Sequence, residues 1–273
     1  MQSKNQQNFY SLRGDADGLG GFFEQPVQKP IPTHVPVSLP PVGGLVVARA
    51  GAFNVDELVS SSSAFTHASG RQNPDGSASI LVTSVVRDLD ILEIVTAKLI
   101  VTQLALKLPS EQGQCIEVSF AGTAFVGLRI AGHKCHPRLN PDLQPLHRAN
   151  GLVTWEDARR VGGTQGQALL NSLADRREGY AYQWAQRRQQ QLAADSQSAA
   201  KGPVRCSLID SLEIPGASCG PIIEIPEFGT IFLGEVLYAP DSVQLVGVRA
   251  ELGCAVSGRI TSNEVGGGGA HDD

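Results

Sequence analysis

The stretch AGHKCHPRLN places His133, Cys135 and His136 close together, and these residue types ligate zinc or copper. A continuing strand would put His133 and Cys135 on one face. A closed site needs more ligands, and only His147 and Cys206 stand as further contributors. A Cys–His nucleophile pair is disfavoured, because neighbours in sequence rarely reach the geometry that activates a thiol, and no oxyanion element accompanies them. His133, Cys135 and His136 are therefore candidate metal ligands, with no other cofactor and no catalytic residue expected.

The segment Glu224–Val256 raises a second possibility, since it sets Glu224, Glu227, Glu235, Asp241 and Glu251 among long apolar runs. A G-x-S-x-G elbow, a Walker loop and a dinucleotide fingerprint are all missing from the sequence. DADGLGG begins like a calcium loop but has Pro26 where the twelfth position needs Glu. The five cysteines include no C-x-x-C pair. Cys219 and Cys254 flank the apolar hairpin and could bridge in an oxidising compartment; Cys115–Cys135 is an equal alternative.

The elements that would position these groups are mostly strands. The chain has 273 residues, 41% of them apolar and 18% charged, with 30 Gly and 16 Pro; that suits short strands joined by turns. Residues 1–44 are rich in Gln and Pro and read as an extended arm, docked or disordered, in which VPVSL could add to an open sheet edge. GLVVARAGAF reads as a first strand, followed by a loop through Ser77. In AKLIVTQLALKL the set Ile100, Thr102, Leu104, Leu106 and Leu108 is apolar but for one Thr, which gives a strand with one core face.

Thr154 and Asp157 make a capping-box start for a helix ending at Gly162–Gly163. A longer helix follows from Thr164, with Leu169, Leu173, Tyr180 and Trp184 on one stripe, Gly179 weakening its centre, and Arg176, Arg177, Arg187 and Arg188 on the solvated side. The last residues, 266–273, read as a flexible tail.

The hairpin register follows from the loop APDS: Tyr238 opposite Val243, Val236 opposite Leu245, Gly234 opposite Gly247, Phe232 opposite Arg249 and Thr230 opposite Glu251. Regular pairing then points Glu235 among Ile231, Leu233, Leu237 and Val248, a costly place for a carboxylate. A bulge at Gly234 would turn it toward Arg249; a structural ion pair and a raised-pKa acid are both open readings.

These residues carry a resemblance. GPIIEIPEFGTIFLGE and RAELGCAVSG, with Pro226, Phe228, Gly229, Gly234, Glu235 and Gly253, resemble the signature of an uncharacterised family of bacterial β-rich proteins. FAGTAFVGLRIAGHK and VRCSLIDSLEIPG are similar to its earlier blocks, so the likeness spans about residues 79 to 265. More distantly, the chain is similar to choice-of-anchor proteins of bacterial surfaces. The resemblance implies a β-rich fold but no activity, cofactor or catalytic residue; Pro221 stands where the family has His.

The expectation is a mainly β protein: an antiparallel β-sandwich over 45–265, with a helical insertion at 154–200 and extended termini. Net charge −5 disfavours nucleic acid, and no run is long enough to span a bilayer. The expected role is non-enzymatic, as a structural or interaction protein that self-associates through sheet edges and the arm. A carbohydrate or small-ligand module is the alternative, although both Trp lie in the helical region; a metal protein using His133, Cys135 and His136 is another. No signal peptide is visible, so the cytoplasm is the default compartment and the cell surface the alternative.

Overall fold

Alternation of apolar and polar side chains decides most of the strands, and the side chains left between faces decide where they bend. The computed structural model describes residues 10–26, 28–111, 114–144, 151–173, 178–197, 202–214, 217–253 and 256–271. The chain opens with β1 (Tyr10–Gln25), β2 (Lys29–His34), β3 (Val37–Ser38), β4 (Gly44–Ala50), β5 (Phe53–Val55), β6 (Val59–Ser61) and β7 (Ser63–Gln72). The hairpin β8 (Ala78–Ile91) and β9 (Val95–Leu108) leads to β10 (Glu117–Ser119), β11 (Ala124–Val126), β12 (Arg129–Ile130), β13 (His133–Lys134) and β14 (His136–Leu139). Helices α1 (Trp155–Ser172) and α2 (Tyr180–Gln197) precede β15 (Val204–Ser207), β16 (Ile209–Ile214), β17 (Ala217–Cys219) and β18 (Ile222–Ile225). The chain closes with β19 (Gly229–Ala239), β20 (Ser242–Gly253) and β21 (Ser257–His271).

Sheet A runs β15-β19-β20-β21-β1-β2, with β18 beside β19 and β3 beside β1. Sheet B is built around β8 and β9, with β7 and then β4 on one side and β10, β11 and β12 on the other. A small third sheet joins β14, β16 and β17. Every pairing among the described residues is antiparallel, and sheets A and B pack face to face as the expected sandwich.

The chain ends depart from expectation. Tyr10–Gln25 is not part of an arm but a central strand, paired along its length with β21 and flanked by β2 and β3. Leu12, Ala16, Leu19 and Phe23 enter the core, and VPVSL adds its strand to the chain's own β1. Gly266–His271 is likewise strand and not tail. Its glycines answer to packing: a Cβ on Gly267 would lie 2.5 Å from Leu106 Cδ1, and one on Gly268 would lie 2.3 Å from the Asp241 carbonyl oxygen.

Ser79–Leu108 folds into two strands through a turn at Leu92–Ile94, where Leu92 and Glu93 take positive φ without a glycine or proline to announce it. The Asp90 side chain supports that turn by accepting from Glu93 N at 2.8 Å. β5, β6 and β7 occupy what read as a loop. The helices also divide differently. The Thr154–Asp157 capping box forms as expected, but α1 continues through Gly162 and Gly163. Ala158, Gly162 and Gly166 form a small buried face that lets α1 lie close on β15. α1 ends at Ser172 and α2 begins at Tyr180, just after Gly179, whose carbonyl accepts the N–H of Gln183 in α2.

One feature organises the core. In sheet A the regular pairing skips Gly18, Asn263, Gly247 and Gly234, which stand side by side on β1, β21, β20 and β19. Gly234 and Asn263 have φ of 58° and 56°. Each strand switches its inward face here: Val236 and Tyr238 point inward on one side of Gly234, Ile231 and Leu233 on the other. Because all four strands switch at the same level, their register stays intact and the sheet creases. Opposite lies a cross-strand row on sheet B, Thr66–Ser84–Thr102, fully buried.

Ser84 Oγ donates to the Asp17 carbonyl at 2.7 Å, Thr102 Oγ1 to the Asn263 carbonyl at 3.0 Å, and Thr66 Oγ1 to the Val35 carbonyl at 2.5 Å. Asn263 Nδ2 donates to the Ile100 carbonyl at 3.1 Å. The hydroxyls thus satisfy carbonyls at and beside the crease. This polar belt divides the interior into two apolar clusters, one around Leu104, Val236 and Tyr238 and the other around Ile100, Leu233 and Val248.

Candidate interaction surface

The two outer faces of the sandwich differ in chemistry. On sheet A the crease brings Glu235 to the outer face, in register with Val246 and beside Arg249. Arg249 Nε donates to Glu235 Oε2 at 2.7 Å and Arg249 Nη2 to Oε1 at 2.9 Å, a fork-to-fork pair. Arg249 also bonds Glu251, its guanidinium lies 3.7 Å above the Phe232 ring centre, and Arg205 approaches Glu235 at 3.5 Å. Glu235 and Arg249 are only 8% and 4% exposed. With both carboxylate oxygens held by arginine, the arrangement serves as an internal ion pair and not as a proton acceptor for a substrate. The expected hairpin register is observed at Tyr238–Val243, Val236–Leu245, Phe232–Arg249 and Thr230–Glu251; the Gly234–Gly247 position falls in the crease.

Further along this face, Asp17 on β1 pairs in register with Glu264 on β21. They line an open groove of about 570 Å³ with Asp15, Arg13, Ser38 and Gln244. Burial, and then the charge of Glu264, raise the Asp17 carboxyl to about 7. Among the described residues its buried Oδ1 has no hydrogen-bond partner. Sequence reasoning met Asp17 only in a rejected calcium loop; the alternation of Arg13, Asp15 and Asp17 against Leu12 and Ala16 was the available signal.

The helices pack along the β15 edge of sheet A and on β18, with Trp155, Ala158 and Val161 of α1 joining Val204, Cys206, Val236 and Tyr238 in the first apolar cluster. The Gln165 amide donates to the Ser207 and Ile209 carbonyls and accepts from Ser207 N, fastening α1 to the sheet. Glu224 Oε1 accepts from Ala181 N at 3.1 Å, placing a negative charge at the start of α2, where the helix dipole favours it. Arg187 is exposed; Arg176, Arg177 and the Arg188 side chain lie outside the described residues.

Sheet B's outer face alternates apolar positions with polar ones, including the row Val47, His67, Thr83 and Gln103. Cross-strand rows bring together Leu45, Ser69, Leu81 and Ala105, then Arg49, Phe65, Val85 and Val101, then Arg87 and Leu99 beside Val126. Arg49 stacks 4.9 Å above Phe65. None of the described helices packs on this face. β4 forms its edge: it pairs with β7 on one side, and its other side is unpaired among the described residues. On β4, Leu45 is 65% exposed and Val47 48%.

The structure separates the proposed metal ligands. Cys135 is buried in the second apolar cluster, its Sγ donating to the His133 carbonyl at 3.3 Å, while His133 and His136 are exposed. β13 and β14 belong to different sheets, so the segment turns away between them. Cys206 is buried in the first cluster and His147 lies outside the described residues. Among the described residues no three His, Cys, Asp or Glu side chains converge. Cys115 and Cys135 pack in different clusters, which disfavours their pairing; Cys254, the proposed partner of Cys219, lies outside the described residues.

A family described as a domain of unknown function, DUF8256, matches residues 9–239. The chain belongs to the DUF8256 family. No curated protein and no solved structure matches the chain. The DUF8256 match ends at the tip of the β19–β20 hairpin, yet β20 and β21 join β19 to β1 in the middle of sheet A. Pro226, Phe228 and Gly229 form the turn that leads into β19, and Gly229 has φ of 132° with the Glu251 carbonyl 2.0 Å from where a Cβ would stand. Gly253 closes the same end, its N–H donating to the Phe228 carbonyl at 2.9 Å. No described helix is long and apolar enough to cross a membrane.

Proposed function

We propose that this chain is a non-enzymatic interaction protein that self-associates by pairing β4 with β4 of a second copy. The observation that carries the reading is an edge strand, unpaired among the described residues, that exposes Leu45 and Val47. A two-fold antiparallel pairing centred on Val47 sets Leu45 of each copy opposite Arg49 of the other. The strand's one charge therefore never meets its own image, and sheet B continues across the axis. The acidic balance of the whole chain, −5, supports a protein partner over nucleic acid.

Sedimentation over a range of concentrations tests this. The wild-type chain is expected to form dimers, and the double variant Leu45→Lys/Val47→Lys to remain monomeric with an unchanged circular dichroism spectrum. A wild-type chain that stays monomeric at high concentration, or a double variant that dimerises as well as wild type, would overturn the proposal.

A further inference from the structure

We infer that a hollow on the outer face of sheet B binds a small apolar carboxylate, its head held by Arg49 and Arg87 and its body laid on Phe65 and Val85. The hollow measures about 330 Å³, at the lower end of the range for small-molecule sites. Three adjacent strands line it: Arg49 comes from β4, Ser63 and Phe65 from β7, and Val85 and Arg87 from β8. Register brings them together. Arg49 stands opposite Phe65, Phe65 opposite Val85, and Ser63 opposite Arg87, so the two arginines reach the hollow from either side of β7. Two guanidinium forks around one small space match an oxyanion, which can accept two parallel N–H bonds from a single fork.

Both arginines are exposed, and among the described residues neither forms an ion pair. The Phe65 ring, 4.9 Å below the Arg49 guanidinium, orients that group before a ligand arrives. Asp88, next in sequence to Arg87, is engaged by Ser62, whose Oγ donates to its Oδ2 at 2.6 Å. The adjoining positions on β9 and β11 are apolar: Val101 lies opposite Val85, and Leu99 lies opposite Arg87 and beside Val126, which is 47% exposed. A carboxylate on a hydrocarbon body satisfies both halves of this surface, whereas an amine head would be repelled. The site uses side chains on the sheet face and the β4 pairing uses that strand's backbone edge, so the two readings can fail separately.

Octanoate, octanol and octylamine, titrated separately into the full chain by calorimetry at low ionic strength, test the assignment. Octanoate is expected to saturate one site per chain about tenfold more tightly than octanol, with octylamine weakest. Arg49→Gln and Arg87→Gln, both at exposed positions, are each expected to weaken octanoate severalfold and leave octanol unchanged. Arg71→Gln is the control, because it removes the same charge from an exposed position of β7 outside the hollow; it is expected to bind octanoate like wild type. Absence of saturable octanoate binding, or octanol binding as tightly as octanoate, would overturn the proposal. So would an Arg87→Gln variant that binds octanoate like wild type, or an Arg71→Gln variant weakened as much as Arg87→Gln.

Discussion

Glu235 shows how one side chain can be read two ways until its neighbours are placed. A carboxylate flanked by Ile231, Leu233 and Leu237 suggests either an activated acid or a buried cost. The crease at Gly234 resolves the alternative by turning Glu235 onto the face of Arg249. An ion pair this buried contributes little net stability compared with well-packed apolar residues, but breaking it from one side strands a charge. Glu235→Leu alone should therefore lower the unfolding free energy by roughly 3–5 kcal/mol, whereas Glu235→Leu/Arg249→Met should lose much less. Urea titrations of the two variants against wild type measure both. The His133–Cys135–His136 grouping was legible as ligand chemistry, but ligand types in sequence do not specify where the backbone turns. Here it buries the thiol and exposes both imidazoles.

At the scale of elements, the strands most faithfully readable were those with one wet face. The set Ile100 to Leu108 is inward as alternation requires, and the single Thr in it proves to be a member of the polar belt. The elements misread were those whose composition reflects packing and not local preference. GGGG in isolation signals a flexible tail. In β21 it is a strand, because neighbouring backbone and the Leu106 and Leu108 side chains approach too closely for a Cβ. Gly268→Ala, with its Cβ 2.3 Å from the Asp241 carbonyl oxygen, should cost roughly 1–3 kcal/mol. Gly266→Ala, whose nearest neighbour is 3.8 Å away, should change stability by no more than about 0.5 kcal/mol. Thermal melts of the two alanine variants separate a packing requirement from a glycine effect common to the strand.

At the scale of the whole molecule, β1 and β21 pair near the two ends of the chain, so residues 10–25 are structural and cannot be removed as an appendage. The Asp17–Glu264 register on this central pair also links global stability to pH. Asp17 has its pKa raised from 3.8 to about 7, so the native state keeps a proton that the unfolded chain releases. Stability contributed at this site is therefore greatest below about pH 4, falls as pH rises toward 7, and stays low above it. The charged groups facing Asp17 are Glu264 across the strand pair and Asp15 and Arg13 along β1. Asp17→Asn should match wild type near pH 4 and exceed it by about 1–3 kcal/mol at pH 8, as read by denaturant midpoints across that window.

By itself the sequence determined the β class, the capped start of α1, and the β19–β20 register, all of which rest on short-range periodicity and turn chemistry. Only the tertiary structure decided that residues 10–25 and the Gly-rich end are central strands. It alone showed that four strands crease together against a row of hydroxyls, and that Glu235 meets Arg249. The reason is physical: a glycine, a lone Thr or a buried carboxylate is selected by what lies across the core from it, and that neighbour is distant along the chain.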